Sequence, residues 1–252
     1  MLYLGETFEE VKNTLRSFGE AFEDVRRADL RKYYILPGIL GIILFFLTIA
    51  LGFGLFELIT RHVNEWGKLG KFRSLAAVVM GVLAFLLVAA VYFLIYKTLL
   101  LLILTPLMSR VSERTDSFLT GREYRFTLRE NLRFIGRGVK IGLICFVKQA
   151  ALMLALFLLE FVIPPLAVFN FITVFLIQGY FTGYTFMDYT LERYGFSSKE
   201  SLRYLKEHAV LSTTAGALFN LGILVPVAGI FIAPLVTCVA VTKLTVREMG
   251  KT

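Results

Sequence analysis

The longest apolar run decides the solvent in which this chain folds. From Tyr33 to Thr60 the sequence reads YYILPGILGIILFFLTIALGFGLFELIT, 28 residues in which Glu57, near the far end, is the only charge. At about 1.5 Å per residue such a helix crosses the roughly 30 Å hydrocarbon layer with tilt to spare. Pro37 falls in its first turns, where a missing N–H donor costs little. A second run, Ser74 to Leu104, is broken only by Lys97, which this reading snorkels toward the interface. The polar segment between them, Arg61 to Arg73, carries Trp66 as an interfacial anchor. Composition agrees: 57% of residues are hydrophobic and 18% charged, against about 45–50% and 25% in soluble domains. Runs of this kind exclude a soluble DNA-binding domain, a disordered chain or a secreted disulfide scaffold, and the 252 residues read as one integral membrane domain, 1–252.

The net charge of +8 is then a statement about topology. Residues 105–140 hold eight Lys/Arg against four acids and contain no run long enough to cross, so by the positive-inside rule this basic segment is cytoplasmic. Two crossings precede it, at 33–60 and 74–104, which puts the N-terminus on the same side. Further along, two apolar segments, 141–187 and 209–243, are interrupted by Pro164-Pro165 and by Pro226. Each reads as a proline-tipped helical hairpin. The arms of the second are at or below spanning length, and the expected form is half-penetrating or re-entrant. Both hairpins start and finish in the cytoplasm whether or not they cross, so the C-terminus is cytoplasmic too. Gly138 with Gly142, and Gly179 with Gly183, are small-xxx-small pairs that permit close helix contact.

Residues 1–32 carry 13 charges and lack the apolar core of a signal peptide. Thr7 and Glu10 have capping-box spacing, and Phe8, Val11, Leu15, Phe18, Phe22 and Val25 recur at steps of three and four. The pattern predicts an amphipathic helix that lies on the cytoplasmic surface or docks on a neighbour.

Little in the chain points to catalysis. His62 and His208 sit in separate loops on opposite sides of the expected topology, no HExxH, GxSxG or P-loop occurs, and Cys145 and Cys238 have no Cys or His at ligand spacing. No enzyme activity, metal or cofactor is expected. The residues that favour a ligand are Arg31 and Lys32, cations at the N-terminal end of the first membrane helix, where unpaired backbone N–H groups and the helix dipole attract anions. Glu160 and Lys148 are charges within the first hairpin, and Gln149, Asn170, Gln178, Thr182 and Asn220 are polar groups suited to line a path or to join helices.

The segments LRKYYILPGIL (Leu30–Leu40), TPLMSRVSERTDSFLTG (Thr105–Gly121), MDYTLERYGFS (Met187–Ser197) and AGALFNLGILVPVAGIFIAPLVTCVAV (Ala215–Val241) resemble the CysZ-like sulfate permeases grouped with the etoposide-induced protein domain, over nearly the whole chain. That resemblance implies long transmembrane helices joined to half-penetrating hairpins in a bacterial inner membrane. It implies passage of sulfate or a similar oxyanion into sulfur assimilation, with Arg31 and Lys32 as substrate-binding residues. Asp29 stands where the family places a glycine, and Thr190 and Val239 depart from two further motifs. The expected partners are the oxyanion, membrane lipid and further copies of the chain, with no nucleic acid. The alternative function is a non-transporting scaffold that organises lipid through its amphipathic N-terminus.

Overall fold

The computed structural model describes residues 2–65, 73–124, 127–163, 167–225 and 227–250. Trp66 and the expected hairpin breakers Pro164, Pro165 and Pro226 lie outside the described residues, as do the side chains of His62 and Glu160. The elements in chain order are α1 (Leu2–Arg27), a 3-10 turn (Arg31–Tyr34), α2 (Ile35–Glu65), α3 (Arg73–Thr120), α4 (Leu128–Val162), α5 (Ala167–Arg193), α6 (Ser198–Glu207), α7 (Ala209–Ile223) and α8 (Ala228–Met249). No strand occurs among the described residues, and the fold class is an all-helical membrane protein.

The chain divides into two units, one of residues 1–38 and 101–252, the other of residues 39–100. In the smaller unit the Tyr96 hydroxyl donates to the Gly41 carbonyl at 3.2 Å, tying the end of the α3 portion to the start of the α2 portion. Lys97 is buried in protein at 2% exposure rather than laid along a lipid-facing surface, so it does not snorkel as the sequence suggested.

In the larger unit the basic segment is mostly helix. α3 runs on through Pro106 to Thr120, and α4 begins at Leu128. Counting charges hid this, because Met108, Val111, Ser112, Thr115 and Asp116 recur at steps of three and one and all five are buried: α3 here is amphipathic. Thr127 and Glu130 form a complete capping box that starts α4, and Ser197 and Glu200 do the same for α6.

The two hairpins are unequal. Residues Leu132–Leu159 of α4 and the whole of α8 are long and apolar enough to cross a membrane, whereas α7, with 15 residues, is about 22 Å long and falls short. What holds them together is glycine. A Cβ at Gly183 would sit 1.9 Å from the Ser212 carbonyl oxygen, and one at Gly216 would sit 1.9 Å from that of Gly179, so α5 and α7 meet backbone to backbone. The Gly179/Gly183 pair thus has a partner face on α7, while Gly138 and Gly142 make room for Thr105 and Leu102 of α3.

α1 docks rather than floating free. Thr14, Ser17, Ala21, Asp24 and Val25 form its buried face, and the Ser17 hydroxyl donates to Ala240 of α8 at 3.4 Å. The Glu10 carboxylate accepts the Leu211 N–H at 3.2 Å, capping the α7 N-terminus from another helix. At the other end Lys243 of α8 is buried between Asp24 and Glu20, with Glu20 at 2.8 Å and Arg247 a further 3.3 Å partner of Glu20. The Lys243 hydrogen bond holds the Glu20 carboxyl far below the ordinary range, at about 2. A second apolar stripe of α1, Phe8, Leu15 and Phe22, stays exposed beside an apolar cavity of about 270 Å³ that Phe18 and Phe22 share with Leu218, Ile232 and Val236 of the α7–α8 hairpin.

Candidate functional site

The geometry at Arg31 and Lys32 begins with how α1 stops. Asp29 has φ +52°, the left-handed conformation that glycine adopts freely and other residues avoid. The Leu30 N–H bonds back to the Val25 carbonyl at 2.9 Å and the Asp29 N–H to that of Arg26 at 3.4 Å, which together make a Schellman motif with Asp29 at its left-handed position. Leu30 and Val25, the two residues that seal this motif by apolar contact in such caps, are both buried. The position where the resemblance implies a glycine is therefore the left-handed cap of α1, and its backbone N–H is committed to that cap.

Directly after it the chain enters the Arg31–Tyr34 turn and α2. Arg31 and Lys32 are both exposed. The Tyr33 N–H, one of the donors expected to be free at this helix start, bonds to the Leu30 carbonyl at 2.9 Å. An anion here would thus meet side chains more than backbone amides. Asp29 lies 4.0 Å from the Lys32 ammonium and offsets part of the charge. Sequence reasoning missed a third cation: Arg114 of α3 lies over the Tyr33 ring at 5.6 Å, with Lys32 5.8 Å from the same ring. Arg114 is 82 positions away, and no spacing rule brings it to this turn.

The other polar residues separate. Gln149, Gln178, Thr182 and Asn220 are buried on α4, α5 and α7, and the Gln149 amide points to the Met153 sulfur at 4.0 Å. Lys148 is exposed on α4. His208 stacks on Tyr204 with ring centroids 4.0 Å apart and its Nδ1 is 3.0 Å from the Tyr204 carbonyl, a helix-junction role. Among the described residues no group of His, Cys, Asp or Glu is placed to hold a metal ion.

Two buried ion-pair clusters, one joining α3, α5 and α8 and the other α4, α5 and α6, had no sequence signal. In the first, Arg193 lies 3.5 Å from Asp116, both side chains being almost fully buried. Its guanidinium also donates to the Ser112 hydroxyl at 2.8 Å, and Ser112 continues to Thr242 at 2.7 Å and Thr190 at 3.2 Å. The Tyr124 and Tyr194 hydroxyls donate to Asp116 at 2.8 and 3.2 Å, so each carboxylate oxygen has a partner. In the second, Arg137 of α4 lies 2.9 Å from Asp188 and 3.6 Å from Glu192 of α5, and its guanidinium reaches the Ser201 hydroxyl at 2.7 Å and the Phe196 carbonyl.

The family model for "Sulfate transporter CysZ/Etoposide-induced protein 2.4" matches residues 17–234. That stretch begins within α1 and ends within α8, so it takes in the Asp29 cap, the Arg31–Tyr34 turn and the Arg193–Asp116 and Arg137–Asp188 ion pairs. No curated protein gives a match to the chain. With the match covering most of its length and the helical membrane fold described above, the chain belongs to the sulfate transporter CysZ/etoposide-induced protein 2.4 family.

Proposed function

We propose that this protein is a permease for sulfate or a similar oxyanion, with Arg31 and Lys32 drawing the anion to the start of α2. The family match over residues 17–234 carries the reading. The local geometry supports it: a Schellman cap turns the chain out of α1 and leaves two exposed cations at the entrance of the first long apolar helix, with Arg114 beside them. Arginine supplies a planar fork matched to tetrahedral oxygens and lysine a point charge, and together they offset the cost of stripping water from a divalent anion. The setting is a bacterial inner membrane with both termini cytoplasmic, an oligomer of this chain, and supply of sulfur assimilation. Labelled sulfate influx into liposomes holding the purified protein tests it, with the Arg31→Ala/Lys32→Ala double variant and empty liposomes alongside.

A second reading, a lipid-organising scaffold, is favoured by one observation. The exposed Phe8, Leu15 and Phe22 stripe of α1 is suited to lie in the headgroup layer. Protein in liposomes that binds vesicles through α1 yet passes no oxyanion above the empty control would select it.

A further inference from the structure

Arg137 faces more negative charge than it can neutralise. Asp188 and Glu192 are one helical turn apart on α5, beyond the apolar stretch that ends at Met187, and their side chains are only 2% and 6% exposed. Arg137 is the one guanidinium in ion-pair distance of them among the described residues. Asp188 takes the closer contact, and its second oxygen, Oδ2, is buried with no hydrogen-bond partner among the described residues. The other charges acting on the pair are Arg133 on α4 and Arg193, the residue after Glu192, whose guanidinium is already held by Asp116 of α3. Tyr184 and Tyr189 on α5, the Cys145 thiol on α4 and the Ser201 hydroxyl on α6 are the other titratable and polar groups acting on the pair.

Two ionised carboxylates so close in a buried place leave one uncompensated charge, and binding one proton removes it. We propose that Asp188 and Glu192 form a proton-binding site, and that the bound proton keeps α6 latched to α4 and α5. Glu192 is the residue that holds it, because Asp188 has the shorter Arg137 contact. Burial, followed by the Asp188 charge, pushes Glu192 up to about 8, and burial raises Asp188 as well. The consequence for α6 follows from what else Arg137 holds. The same guanidinium bonds the Phe196 carbonyl just before α6 and the Ser201 hydroxyl within it. When Glu192 ionises it competes with Asp188 and with these α6 partners for the one guanidinium, and the latch weakens. In a permease this would make the cytoplasmic end of the first hairpin sensitive to internal pH, an extension that rests on the function proposed above; the proton site itself does not.

The native Cys145 reports the latch. It is buried in a cluster with Ile141, Tyr184 and Leu205, and Leu202 of α6 packs on that cluster. In a Cys238→Ser background, maleimide labelling of Cys145 is compared between the otherwise native protein and Glu192→Gln, an uncharged isostere of the protonated acid, across about pH 6 to 9. The Asp188 charge also acts on the Cys145 thiol, so labelling is read together with hydrogen exchange of the α6 amides, whose base-catalysed chemistry rises alike in both proteins and whose ratio isolates α6. The ratio is expected near one at pH 6 and to rise severalfold above about pH 8; a flat ratio overturns the latch. Infrared difference spectra of the native protein over the same range supply the second readout. A carboxylic-acid carbonyl band lost with a midpoint near 8 and missing in Glu192→Gln is the expected result, and no such band in the native protein overturns the proton site. Neither readout depends on sulfate flux, so a failed permease reading and a failed proton site give different outcomes.

Discussion

Replacing Asp29 by glycine should stabilise the protein by about 1 kcal/mol. Asp29 holds φ +52° at the left-handed position of the cap that ends α1. An L-residue there costs roughly 1–2 kcal/mol relative to its right-handed form, aspartate toward the low end because its short polar side chain tolerates the region, and glycine costs nothing. Asp29 is largely exposed at 89%, and its contact with Lys32 is long at 4.0 Å, so the loss of that ion pair takes back at most a few tenths. For a chain of this size about 1 kcal/mol is a rise of roughly 2–4 °C in the midpoint of thermal unfolding, measured in detergent micelles at matched lipid content. Asp29→Asn keeps left-handed tolerance without the charge and should stay near the native midpoint, whereas Asp29→Ala should fall below it. An order in which alanine equals or exceeds glycine would refute the cap as the reason for the residue. The same change removes the negative charge beside Lys32 and should strengthen oxyanion binding there, read as a lower half-saturating sulfate concentration.

Other consequences follow from the packing. Gly183→Ala drives a methyl into the Ser212 carbonyl, 1.9 Å away on a backbone that cannot swing aside, and should cost at least about 2–3 kcal/mol, read as lost monodispersity in gel filtration; a well-behaved variant with native melting would contradict the α5–α7 contact. Asp116→Asn leaves the Arg193 guanidinium buried without its carboxylate and should destabilise by about 3–5 kcal/mol, checked by chemical denaturation, with a loss below 1 kcal/mol counting against a dry ion pair. Glu20 is held at about 2 against an ordinary 4.5, so its contribution to α1 docking is complete above about pH 4.5 and fades as pH falls toward 2. Hydrogen exchange of α1 should accelerate over that window in the native protein and much less in Glu20→Gln.

The parts of the architecture that sequence showed are those set by local pattern. Long uncharged runs announced membrane helices, and the three-and-four spacing of Phe8 to Val25 announced α1, because both signals are carried by neighbours in the chain. The reach of α3 to Thr120 was not visible in a count of arginines, although the spacing of Met108, Val111, Ser112 and Thr115 contained it. Asp29 could be seen only as an odd replacement for glycine; its meaning as a cap needs the backbone angle. The ion pairs were out of reach in principle. Arg137 meets Asp188 across 51 positions and Arg193 meets Asp116 across 77, distances along the chain that only the packing of α3, α4 and α5 closes. At the candidate site, Arg31 and Lys32 are legible as cations before an apolar run, while Arg114 joins them only through the fold.

The central claim is oxyanion passage through Arg31 and Lys32, and labelled sulfate influx into liposomes tests it most directly. Native protein and the Arg31→Ala/Lys32→Ala variant, both confirmed folded by their melting curves, are reconstituted at equal density beside empty vesicles. Saturable uptake by the native protein that falls at least about tenfold in the variant is the predicted result. Uptake that survives in the variant, or none above empty vesicles, would contradict it.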